Sequence, residues 1–326
     1  MTTLYIDSKK VSALYIDGKK VKLGAQEPQC LTIEPLSSAT PDADKTSVTL
    51  RNAAGTSLAG TFEAKLNDGA WTTVSWEDVS HGTDYNLVKA CDASKETISF
   101  GEKLQIRGLD KWNKDLSLKV TCAGGAKVSG KMAGSLTPEY AASTASYKLA
   151  SFFKGSTGLK DASGLDLGDI VLASSCYNSM FNGCSSLTQA PALPATTLPG
   201  RCYSNMFSGC TSLTKAPELP ATALAIYCYS NMFRDCSNLT QAPALPATKL
   251  AGSCYASMFY GCSNLTQAPA LPATALANNC YNIMFNGCTK VTELHYPASV
   301  QNDSTFTGMS GSPWFGATNA TVHYDL

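Results

Sequence analysis

Ten of the thirteen cysteines fall into two columns, Cys176, Cys202, Cys228, Cys254 and Cys280, and Cys184, Cys210, Cys236, Cys262 and Cys288, each stepping by 26 residues. Regularly spaced thiols can cross-link, hold a metal or carry redox chemistry, and each use makes a geometric demand. Each column has five members, so pairing within a column always leaves one over. Two cysteines eight apart on a helix are separated by about 12 Å, beyond the roughly 7 Å Cα limit for a disulfide. Links across the columns stay open on spacing alone. Zinc needs closer ligand spacing than C-x₇-C and a histidine beside it, which the repeats lack. The remaining reading is that the ten are buried, reduced, metal-free thiols whose use is packing. Cys30, Cys91 and Cys122 are an odd set without ligand-like spacing, expected as small buried hydrophobes or lone surface thiols. The only histidines are His81, His295 and His323, and none stands in a metalloprotease, nucleophile-elbow or phosphate-loop motif. No catalytic residue, cofactor or metal ligand is therefore expected.

The columns must be held by a repeating element. Each unit repeats a phrase such as "CYNSMFNGCSSLTQAPALPAT" (Cys176–Thr196), with Tyr177, Met180 and Phe181 recurring at the same 26-residue step and Leu187 recurring as Leu or, at Val291, Val. A fixed period of this size marks a solenoid. Cys176, Met180 and Cys184 stand at i, i+4 and i+8, which predicts a short helix ending at Asn182-Gly183. "SLTQA" alternates as a brief strand, and "PALPAT" is an extended return, since each Pro lacks a donor. Strands stack at about 4.8 Å and helices at roughly 8–10 Å, so such a stack should curve with its strand side inside. "FKGSTGL" (Phe153–Leu159) is a degenerate first unit, with Ser156 in a cysteine position at an offset of 28. At the other end Trp314, Phe315 and Tyr324 are large enough to close the stack.

Upstream, residues 30–131 contain seven short alternating runs divided by Asp, Asn, Gly and Ser: "CLTIEPL", "KTSVTLRNA", "GTFEAKLN", "WTTVSW", "ETISFG", "KLQIRGL" and "DLSLKVTC". These predict a β-sandwich, with Trp71, Trp76, Phe100 and Ile106 in its core. The first 29 residues carry "LYIDSKKV" and then "LYIDGKKV", two small hairpins that bury little alone. Leu4, Tyr5, Ile6, Leu14, Tyr15 and Ile16 are the candidate anchoring residues, by strand pairing with another chain.

Charge excludes several functions. The 25 basic and 25 acidic residues sum to zero, which argues against bulk affinity for nucleic acid or anionic lipid. No stretch approaches the roughly 18 apolar residues of a membrane span, so no membrane insertion is expected. The start, "MTTLYIDSKK", has no apolar core of signal-peptide length, and the expectation is synthesis in a reducing cytoplasm. Only seven charged residues lie between Val171 and Lys290. Against that neutral background four solvent-side positions differ between units, Arg201, Tyr227, Arg234 and Tyr260, and both residue types are favoured at binding hot spots. They are the candidate binding residues.

"CYSNMFSGCTSLTKAPELPATALAIYCYSNMFRDCSNL" (Cys202–Leu239) resembles the BspA-like leucine-rich repeats of Bacteroidetes surface proteins and of the phages that infect those bacteria. The likeness runs from about Phe153 to Val291, with the family's AF-x-x-C phrase written here as MF-x-x-C. "KLQIRG" (Lys103–Gly108) and "AKVSGKMAGSL" (Ala126–Leu136) resemble the Ig-like β domain that precedes such repeats. "TLYIDSKKVSALYIDGKKV" looks like the doubled leader of gut-bacteriophage structural proteins. The resemblances imply docking hairpins over 1–29, an Ig-like β-sandwich over 30–135, a short right-handed α/β leucine-rich-repeat-like solenoid over 136–292 and a cap over 293–326. They also imply a non-enzymatic virion protein made in the host cytoplasm, such as a head fibre, decoration or tail-associated component. Its expected partners are a capsid or other virion protein through the N-terminus, further copies in an oligomeric assembly, and a host surface glycan or protein. The alternative is a bacterial cell-surface adhesin with the same repeats.

Overall fold

The computed structural model describes residues 30–36, 45–53, 58–79, 84–301 and 320–326, and the backbone of 14–16 and 19–21. Strands β1 (Leu14–Ile16) and β2 (Lys19–Val21) pair antiparallel, Leu14 opposite Val21 and Ile16 opposite Lys19. Leu4, Tyr5 and Ile6, like Trp314 and Phe315, lie outside the described residues.

Residues 30–135 form eight strands: β3 (Leu31–Pro35), β4 (Ser47–Asn52), β5 (Thr61–Leu66), β6 (Thr72–Ser75), β7 (Asp84–Asn86), β8 (Leu104–Arg107), β9 (Leu116–Thr121) and β10 (Ala126–Lys131). Two helices of a turn or so complete the region, α1 (Leu87–Cys91) and α2 (Met132–Ser135), and a third, α3 (Pro138–Ala142), follows it. Burial alternates along β3, β4, β8 and β9, as one buried face requires. The sheets are open. One runs β7-β4-β9, and the other β11-β10-β3-β8-β5-β6, where β11 (Leu159–Asp166) pairs parallel to β10. Gly130 permits the approach of β10 to β3: its φ is +99°, and a Cβ there would lie 2.0 Å from the Cys30 carbonyl oxygen.

Two sandwich expectations need correction. "ETISFG" forms no strand; Ile98 alone bridges to Thr46, while Phe100 is 61% exposed at a turn. Trp71 is half-buried, with Arg107 over its ring at 3.9 Å, whereas Trp76 and Ile106 are buried as expected. A charge-flanked indole can lie on a sheet surface because the cation over its face replaces part of the core contact.

The repeats contain no helix, which corrects the helical reading of "CYNSMFNGC". Each unit places a left-handed residue at every fourth position: Ser175, Ser179 and Gly183, then Arg201, Asn205 and Gly209, and so on to Asn279, Ile283 and Gly287. Each is followed by the buried Cys, Met or Cys. A four-residue turn thus delivers the same i, i+4, i+8 burial as a helix, with different hydrogen bonds. Within a unit, N–H groups donate three residues back, as from Ser204 to Arg201 and from Met206 to Tyr203. The intervening N–H groups donate to the next unit: Arg201 to Ile226, Asn205 to Ser230, Phe207 to Met232 and Gly209 to Arg234. From Arg201 to Cys210 every amide is therefore satisfied, half inside the coil and half between coils. Left-handed φ costs about 1–2 kcal/mol at a non-glycine residue, which these bonds and the packing beneath must offset.

On the other side of each coil, Lys215, Gln241 and Gln267 bridge in parallel, and β12 (Thr197–Leu198) pairs with β13 (Ala223–Leu224). Both sides of a coil are thus spaced by backbone hydrogen bonds. The curvature expected from unequal helix and strand spacing loses its physical basis. Beneath them, Phe153, Phe181, Phe207, Phe233, Phe259 and Phe285 stack with centroids 5.4 to 5.7 Å apart. A second ladder joins Tyr177, Tyr203, Tyr229, Tyr255 and Tyr281 at 5.8 to 6.1 Å. The phenylalanine ladder continues into the sheets through Phe152, Trp112, Trp76 and Phe62. The final described elements are β14 (Glu293–His295) and β15 (Thr321–His323), a parallel pair. Tyr296 closes the tyrosine ladder edge-on, with Tyr324 6.5 Å from it.

Candidate functional site

All thirteen cysteines are thiols, and the ten of the repeats are buried. The second column has a specific role. Cys184, Cys210, Cys236, Cys262 and Cys288 each donate Sγ–H to the carbonyl of the phenylalanine one coil earlier, at 3.0 to 3.2 Å. Such bonds contribute about 0.5–1 kcal/mol each and tie each coil to its predecessor. Ser156 occupies the same slot in the first unit, where its hydroxyl donates to the Leu118 carbonyl and accepts from the Val120 N–H of β9. The degenerate unit thus exchanges a thiol for a hydroxyl where the neighbour is a strand rather than a coil.

In the first column the corresponding residue is Lys148, a buried lysine that sequence reasoning missed. Its Nζ donates to the carbonyls of Ala141, Ser143 and Val171 at 2.6 to 3.0 Å, and burial lowers its pKa. Extending the 28-residue offset of Ser156 back to Cys176 would have found it. Alkylation of the native protein should label only the half-buried Cys91 and Cys122, Cys91 slowly because burial pushes its thiol up to about 11. Unfolding should release the other eleven for labelling. Mass spectrometry that found native disulfides or blocked thiols within Cys176–Cys288 would overturn the packing role.

The four candidate binding residues are brought together as two stacked pairs. The Arg201 guanidinium lies over the Tyr227 ring at 4.5 Å, and Arg234 over Tyr260 at 4.3 Å. Both pairs join neighbouring coils. Arg234 also meets Asp235 at 3.4 Å, so its charge is locally compensated, whereas among the described residues Arg201 makes no ion pair. Ile226, 55% exposed, adds an aliphatic surface beside Tyr227, itself 37% exposed. Ile226 was missed, although its slot holds Gly200, Gly252 and Asn278 in the neighbouring units. An isoleucine there is an exposed apolar addition, with Gly200 close beside its side chain.

A second cluster lies at the C-terminal end. In the parallel pairing His295 is opposite His323, and Glu293 precedes His295 on the same strand face. The imidazoles stack at 4.8 Å and 13°, and one ligand atom from each of Glu293, His295 and His323 lies within 4.8 Å of the others. Asp325 meets His295 Nδ1 at 2.8 Å, raising the histidine pKa while its own falls. The signal was available: E-L-H and H-Y-D each place two ligand-type residues two apart. Of the N-terminal candidates, Leu14, Tyr15 and Ile16 form β1. Compared with protein-family models, curated proteins and solved structures, the chain matches none of them.

Proposed function

We propose that the protein is a non-enzymatic structural and attachment component of a bacteriophage virion, held by its N-terminal segment and presenting the stacked repeats, as a solenoid, toward the host surface. The observation that carries the reading is the exposed Arg201, Ile226 and Tyr227 patch on a ladder with almost no other charge. Arginine stacked on tyrosine is already ordered, so less freedom is lost when a ligand docks. The low charge favours a neutral glycan or a protein surface over a strongly charged partner. A single contact of this size is weak, and many copies on one particle raise its effect through effective concentration. A cell-surface adhesin would use the same face; the repeat resemblance to Bacteroidetes surface proteins favours that second reading.

Particles carrying Arg201, Tyr227, Arg234 and Tyr260 all changed to Ser should adsorb to host cells more slowly at normal protein occupancy. Unchanged adsorption at low particle and cell density would reject the attachment face. Deleting residues 1–21 should leave the remaining chain folded and abolish its incorporation into particles. Full occupancy after the deletion would place the anchor elsewhere.

A further inference from the structure

We propose that Glu293, His295 and His323 form a binding site for a divalent transition-metal ion of the zinc class, tying the C-terminal strand to the end of the repeats. Two independent features point to a ligand. His323 Nε2 is buried and, among the described residues, has no hydrogen-bond partner. A buried nitrogen left unpaired is costly, so such atoms are normally satisfied by a protein group, a water or a metal. The second feature is the orientation of His295. The Asp325 carboxylate 2.8 Å from Nδ1 accepts that N–H, which leaves the Nε2 lone pair outward. A carboxylate behind a histidine is the usual support of a metal-ligating imidazole.

The distances are close to what an ion needs. Zinc bonds to nitrogen and oxygen of roughly 2.0–2.2 Å place tetrahedral ligands about 3.3–3.6 Å apart. His295 Nε2 and the Glu293 carboxylate are 3.8 Å apart, and all three ligand atoms lie within 4.8 Å. Small side-chain rotations close the remainder. Two imidazoles and one carboxylate suit zinc, cobalt or nickel better than magnesium or calcium, which prefer oxygen. The fourth position is left for water. The ion would reinforce two short parallel strands already joined by their backbone ladder, the stacked imidazoles and the His295–Asp325 contact.

The test uses the untagged full-length chain, treated with chelator and with Cys91 and Cys122 alkylated so that reachable thiols cannot compete. Titration with zinc should give one ion per chain by calorimetry, and cobalt should give the absorption of a low-symmetry nitrogen–oxygen site. Zinc should raise the Tm and chelator reverse the gain. H323A and H295A should each remove the stoichiometric binding, and D325N should weaken it about 10–100-fold. H323Q, close to histidine in size and polar, guards against loss through misfolding: it should keep the metal-free Tm and lose the zinc response. Binding that is absent, non-stoichiometric, or unchanged in H295A and H323A would overturn the site.

Discussion

Raised to about pH 10, the protein should unfold cooperatively, losing its ladder circular dichroism and gaining thiolate absorbance in one step. Burial pushes the thiols of Cys184, Cys228, Cys236 and Cys288 up to about 12 and also raises those of Cys210, Cys254 and Cys262. A group whose folded pKa is raised contributes its full stability below the unfolded value, near 8.5 for cysteine. That contribution falls as pH climbs toward the folded value, because the unfolded thiol ionises and the buried one does not. Each thiol then removes about 1.4 kcal/mol per pH unit, so seven together remove on the order of 10 kcal/mol per unit. This is comparable to the whole stability of an ordinary domain, about 5–15 kcal/mol. The buried tyrosines Tyr203, Tyr229 and Tyr255, raised by the same burial, add to the loss above their own unfolded range. Lys148 and Cys176 have the opposite sign, since burial lowers the lysine pKa and the hydrogen bond with Cys202 lowers that of Cys176. Stability grows as pH rises through those values, but they are two groups against seven. Thiols that ionise gradually from pH 8.5 with the circular dichroism intact would contradict the burial that the ladder requires.

Phe233→Ala should cost about 3–5 kcal/mol, the usual range for emptying a buried phenylalanine site. Phe233 lies between Phe207 and Phe259, each 5.7 Å away and within 6° of parallel, so truncation removes contacts on two sides. Stacked repeats are coupled to their neighbours and only weakly to anything further. A double-mutant cycle on Phe207 and Phe233 should therefore return a coupling of about 0.5–1.5 kcal/mol. The cycle on Phe181 and Phe259, three steps apart in the ladder, should return nearly none. Equal coupling in the two cycles, read from denaturant midpoints, would mean that the phenylalanines do not act chiefly through their nearest neighbours.

Column by column, the buried residues of the repeats were legible, because burial depends on the 26-residue step and on residue size. Their backbone was not. A period of four satisfies both an α-helix and a chain of turns, and side-chain pattern alone does not separate them. Asn205, Asn231 and Asn279 at left-handed positions were the available hint, since asparagine tolerates that region better than most residues. Strands with clean alternation, such as β4 and β9, were placed correctly. β7 was missed: three residues are too few for a period to register. Phe100 was misplaced because hydrophobicity was read without its neighbours; Gly101 and the turn around it carry the ring outward. The Glu293, His295 and His323 cluster escaped because it joins strands distant in the chain, and Lys148 because the 28-residue offset of Ser156 was not carried over to the first column.

On the turn side of the repeats the backbone bonds between coils run one way, Tyr177 to Lys148 excepted, whereas on the strand side amides such as those of Thr222, Ala225 and Thr240 donate back to Thr196, Leu198 and Thr214. Ser175 donates to Gly200, whose following amide, that of Arg201, donates to Ile226; the amide of Tyr227 then donates to Gly252, and that of Ser253 to Asn278. Each peptide group on this thread accepts from the coil before it and donates to the coil after it. The threads through Asn205, Phe207 and Gly209 repeat the pattern alongside. Peptide dipoles aligned head to tail add, as they do along a helix axis, here across the coils rather than along the chain. The turn side of the stack therefore carries an aligned dipole, negative where its first coil meets the sheets and positive at its C-terminal end. Carboxylates are favoured at that positive end whatever else they do there, and each coil added lengthens the dipole without changing the sign of either tip.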